Sequence, residues 1–254
     1  MIALLRFHLL QVWRSKLLIL WLVFSFFVQW MLAKLLHSAT VEYQGVSSFL
    51  GVKQAVTSLI FAQYYTASVL AVVYGIWIVP YLHEGGLVAL TYCLPVRKAI
   101  FPLVYMASFT SMLFLQAVGM FVSIGMQFGW SVWAGPEIFW TEIGSAAVLL
   151  PFALNAFCLG LAVLSIQLGK VIAFLCTLFL GVVLQGSAVF FQMGYGEELV
   201  WRKIYKALPP LGEIFFALKN PPVWDAAYFP QLGLWVAWLA IFALLFRVRL
   251  GRPG

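Results

Sequence analysis

The chain has 254 residues, 64% of them hydrophobic and only 9% charged, with a formal net charge of +7. A soluble domain carries roughly 25% charged residues, so no water-soluble surface can be built from this composition, and the mean hydropathy of +1.01 points to a bilayer protein. At this length the chain is a single transmembrane domain, residues 1–254, with no room for a second folded module.

Residues 1–16 form the first predicted element, a short basic helix. Ile2, Leu5, Leu9 and Val12 recur at helical spacing, while Arg6, His8, Gln11 and Arg14 occupy another arc. Such a helix suits the plane of the inner leaflet, apolar face inward. A spanning helix needs about 20 mostly apolar residues. Six segments meet that length, at about 17–36, 57–80, 99–128, 144–168, 171–193 and 229–246. The first is too long for a signal-peptide core and lacks a small-residue cleavage site, so it is kept as a helix. The expected fold is an all-α polytopic membrane protein of six spans.

Two connections carry structure of their own. Residues 81–98 place Gly85 and Gly86 before a helix-compatible run that Pro95 stops, because proline cannot continue the hydrogen-bond ladder. Residues 194–228 read as two short helices. Glu197 and Glu198 open the first and Arg202, Lys203 and Lys206 close it, in the sense that the helix dipole favours. Trp201, Ile204, Tyr205 and Leu208 make its apolar face, and Pro209 and Pro210 break it. Both helices are too apolar for free loops and are expected to dip back toward the bilayer.

Charge sets the orientation. A cytoplasmic N-terminus puts Arg6, Arg14, Lys16, Arg97, Lys98, Lys170, Arg247, Arg249 and Arg252 inside, with Glu84 as the one acid. Outside fall six basic and seven acidic residues, with four of the six basic ones in the long 194–228 segment. Short cytoplasmic loops rich in Lys and Arg are the established bias, and an even number of spans returns the C-terminus to the cytoplasm. The basic balance is therefore a membrane signature and not a nucleic-acid footprint.

Catalytic chemistry is not written in the chain. There is no phosphate-binding Gly-x-x-x-x-Gly-Lys-Ser/Thr loop and no Gly-x-Ser-x-Gly elbow. His8, His37 and His83 fall in different segments, so no metal site is expected. Cys93, Cys158 and Cys176 make no Cys-x-x-Cys pair and read as packing residues. The spans hold one ionisable residue, Lys34, near an end where it can snorkel to the interface. Proton-coupled carriers place ionisable groups within the membrane, so a secondary transporter is disfavoured. The polar content is instead Gln29, Gln63, Gln116, Gln127, Asn155, Gln167 and Gln185. Interhelical hydrogen bonding accounts for most of these, and Gln63 and Asn155 are kept as candidates for a transport pathway.

The segment Glu84-Gly85-Gly86-Leu87-Val88-Ala89-Leu90-Thr91-Tyr92-Cys93-Leu94-Pro95-Val96-Arg97-Lys98 resembles the motif of the ABC-2 type permeases, the membrane subunits of type V ATP-binding-cassette exporters. Members tend to read acidic-x-Gly-Thr-Leu-Glu-x-Leu and then Pro-Val-Ser-Arg. Glu84, Gly86, Leu90, Pro95, Val96 and the basic Lys98 fall in register, whereas Leu87, Val88, Ala89 and Arg97 depart from it. The six-helix layout and the basic ending Phe246-Arg247-Val248-Arg249-Leu250 are similar to the family as well.

The resemblance implies a permease in the cell inner (plasma) membrane, paired with a second copy or a paralogue and driven by separate cytoplasmic ABC ATPase subunits. ATP and Mg would be bound by those partners, and this chain would carry no cofactor. His83, Glu84, Gly86, Leu90, Pro95, Arg97 and Lys98 would form the coupling helix seated on the ATPase. Trp201, Tyr205, Pro209 and Pro210 would belong to an outer gate. Two other classes stay open: a non-transporting membrane scaffold or immunity protein, and an integral membrane enzyme acting on lipids.

Overall fold

The computed structural model describes residues 6, 10, 14–42, 52–82, 100–134, 140–192, 203–204 and 228–250. All regular structure among them is helical. The long elements are α1 (Lys16–Glu42), α2 (Val52–Val73), a π-helical turn (Tyr74–Ile78), α3 (Val79–Leu82), α4 (Ile100–Phe128), α5 (Trp140–Leu168), α6 (Lys170–Gln192) and α7 (Tyr228–Leu250). Each of the six apolar segments expected from the sequence is thus helical.

Three stretches are long and apolar enough to cross a membrane: Leu18–Ala39 in α1, Ile100–Phe128 in α4 and Leu150–Leu168 in α5. Shorter apolar stretches run over Thr66–Tyr81, Lys170–Val183 and Leu232–Val248. The exposed faces suit lipid better than water. Leu20, Phe27 and Leu35 line α1, and Val171, Phe179 and Val182 line α6, all of them exposed. Leaving that much apolar surface in water would be unfavourable at about 25 cal/mol per Å². Lys34 is exposed with its Nζ 5.6 Å from the Trp30 ring, the arrangement of a cation that reaches past an aromatic toward an interface.

At the N-terminus, Arg6 and Leu10 are helical and exposed, and the Arg14 amide donates to the Leu10 carbonyl. Ser15 interrupts the helix before α1 begins. This agrees with a separate helical piece ahead of the first long helix.

The chain divides into two units. One comprises Met1–Leu70 and Ala107–Trp140, the other Ala71–Met106 and Thr141–Gly254. In the first, Ala33 of α1, Val56 and Leu59 of α2 and Ile124 of α4 form a buried cluster, with Phe128 and Trp133 packed against it. α4 ends at Gly129, which takes φ +85°, a left-handed conformation that costs a glycine little. The following 3₁₀ turn, Trp130–Ala134, folds back so that Trp133 stacks on Phe121 at 4.0 Å between ring centroids.

In the second unit, Ile76, Leu161 and Ala173 are the buried centre, and the Trp77 and Phe174 rings meet at 5.5 Å. Gly169, at φ +84°, makes the tight break between α5 and α6. α7 is held by Phe246 edge-on to Tyr105 and by Phe242 against Gly160. Pro151 lies inside α5, where the Asn155 side-chain amide donates to its carbonyl at 2.7 Å.

Candidate functional site

The most concentrated polar feature in the first unit is a layer of amides inside apolar helices. Ser25 and Gln29 stand one turn apart on α1, Gln63 on α2, and Gln116 on α4; all four are buried. Residues four apart lie on one face of a helix, so α1 turns a single polar strip inward. The Gln29 amide nitrogen Nε2 donates to Gln63 Oε1. Gln116 Nε2 donates to Ser25 Oγ at 2.6 Å. Three helices separated by long stretches of sequence are thereby tied at one level. Interhelical bonds of this kind average about 0.6 kcal/mol in membranes, with 1–2 in model peptides.

The layer is not fully satisfied. Gln29 Oε1 and Gln116 Oε1 are both buried and have no hydrogen-bond partner. Gly119, three residues beyond Gln116, faces the same place: a Cβ there would lie 3.5 Å from Gln29 Oε1 and 3.2 Å from Phe26.

The second unit contains a different irregularity. Pro80 has no N–H to give the carbonyl of Ile76, four residues earlier. The Ser165 hydroxyl of α5 donates to that carbonyl instead, at 3.0 Å. Here the helix widens into the π turn, with the Val79 amide donating to the Tyr74 carbonyl five residues back. Gly75 lets the turn approach α5 closely, since a Cβ at that position would sit 2.6 Å from the Cys158 carbonyl oxygen. π turns recur at functional positions in helices, and this one ends a few residues before the 83–99 link.

Of the pathway candidates, Gln63 enters the amide layer, whereas Asn155 bonds within its own helix. Gln29 and Gln116, first read as ordinary polar content, are the residues that complete the layer. Their spacing from Ser25 and Gly119 was the available signal. The expected coupling residues His83, Glu84, Gly86, Leu90, Pro95, Arg97 and Lys98, and the expected gate residues Trp201, Tyr205, Pro209 and Pro210, lie outside the described residues. Among the described residues no group of three or more His, Cys, Asp or Glu is placed to hold a metal. No protein-family model, curated protein or solved structure matches the chain.

Proposed function

We propose that the chain is the membrane permease subunit of an ATP-binding-cassette exporter. It crosses the membrane six times with both ends in the cytoplasm, pairs with a second permease, and takes its energy from separate cytoplasmic ATPase subunits. The observation that carries this reading is the segment Glu84 to Lys98, with its acidic start, Gly86, Leu90 and Pro95-Val96 in register with the family motif. Its setting supports the reading: the helix before it ends at Leu82 and α4, apolar and of membrane length, starts at Ile100. A link this short, stopped by a proline, passes a push from a partner directly to the helices on either side.

The test is co-purification. The tagged chain is isolated in detergent from its own host's membranes, beside a variant combining Glu84→Ala, Arg97→Glu and Lys98→Glu. The wild type is expected to retain an ATPase subunit that carries a phosphate-binding loop, and the variant to lose it while keeping its helical circular dichroism. A folded wild type that holds no ATPase overturns the exporter reading in favour of a scaffold.

A further inference from the structure

The amide layer of the first unit has two acceptors and nothing to fill them. Gln29 lies at the middle of the apolar stretch Leu18–Ala39, and Gln116 falls within a turn of the middle of Ile100–Phe128. Both oxygens are therefore at the depth where bulk water is scarcest and where an unmade hydrogen bond is most unfavourable. The donors of these side chains are already committed, Gln29 Nε2 to Gln63 and Gln116 Nε2 to Ser25. Turning either amide over would strand a donor in place of an acceptor.

The guest that resolves this must bring two donors, be neutral and be small. Two donors are needed because Gln29 Oε1 and Gln116 Oε1 both lack partners. Neutrality follows because Ser25, Gln29, Gln63 and Gln116 include no acid to balance a cation, and an uncompensated charge at this depth is strongly disfavoured. Small size follows from Gly119, whose missing side chain leaves a methyl-sized notch beside Gln29 Oε1 and Phe26. Water meets all three conditions, and buried waters typically make about three hydrogen bonds to otherwise unsatisfied groups.

We propose that a bound water bridges Gln29 Oε1 and Gln116 Oε1 in the notch opposite Gly119, making the centre of this three-helix unit a wet site. The inference rests on α1 and α4 lying across a membrane, and it stands or falls independently of the exporter reading. The water links α1 to α4 through two acceptors, beside the direct bonds of each helix to its other neighbours. It also gives the layer an exchangeable partner, so that the glutamines can swap hydrogen bonds without passing through an unpaired state.

The experiment is solid-state NMR of the isotopically labelled full chain in lipid bilayers, with polarisation transferred from water to side-chain carbons. Build-up at Cδ of Gln29 and Gln116 is expected to be severalfold faster than at the buried methyl of Met112, one turn away. Gln116→Met should slow the build-up at Gln29, because the bridge loses one anchor. Gly119→Ala keeps both glutamines and fills the notch, and should slow both. Build-up at Gln29 and Gln116 as slow as at Met112 in the wild type overturns the proposal, and so does a wet Gln29 that neither substitution affects.

Discussion

The hydroxyl of Ser165 donates to the carbonyl of Ile76 at 3.0 Å, 89 residues away in the chain. It thereby serves the acceptor that Pro80 leaves open, and a local defect becomes a tertiary contact. Ser165→Ala should lower stability by about 1 kcal/mol, the worth of one hydrogen bond. Pro80→Ala restores the missing N–H, so Ser165→Ala should cost less in its presence. Thermal unfolding of the single and double variants in detergent gives the coupling, and strict additivity would show that the two residues do not act on one carbonyl.

Gly75 should resist enlargement. Gly75→Ala places a Cβ 2.6 Å from the Cys158 carbonyl oxygen and 3.0 Å from Leu161 Cβ, and neither is the free end of a flexible side chain. The expected loss is about 1–3 kcal/mol, as for overpacking in a tight core. Gly181, with nothing within 4 Å of an added Cβ, is the control. Gly181→Ala should be neutral or stabilising by up to about 1 kcal/mol from helix propensity. Paired melting curves check both.

The Gln29–Gln63 bond predicts a double-mutant signature. Gln29→Leu strands Gln63 Oε1 and should cost about 1–3 kcal/mol. Adding Gln63→Leu should return part of that loss, because an apolar pair leaves no group unpaired. Coupling near zero between the two substitutions would mean that the bond contributes nothing to stability.

The six-span topology predicts a labelling pattern. With Cys93, Cys158 and Cys176 replaced by serine or alanine, a membrane-impermeant maleimide should reach Arg6→Cys and Arg252→Cys only in inside-out vesicles. Lys206→Cys should react only from the opposite side. Labelling of Arg6→Cys and Arg252→Cys from opposite sides would require an odd number of spans.

The positions of the helices were legible because a helix closes its hydrogen bonds four residues apart. Lys16–Glu42 and Ile100–Phe128 announce themselves by an unbroken apolar run. Pro102 could be placed in a first turn, where its missing N–H costs nothing. The π turn was not legible. Gly75 and Pro80 mark the place, yet the wider turn depends on Ser165 being near enough to take the Ile76 carbonyl. The amide layer was half legible. Gln63 stood out as a polar residue in an apolar span, but nothing local distinguishes Gln29 and Gln116 from exposed Gln167.

The sequence alone determined the class of the molecule, the positions of its helices and the resemblance carried by Glu84 to Lys98, since each is set by composition or by neighbours within a turn. Tertiary structure alone decided which polar groups meet. The Gln29–Gln63 and Gln116–Ser25 pairs join residues 34 and 91 apart. Such pairs depend on how closely the helices pack, because a side-chain amide makes its bond only with a partner held within about 3 Å.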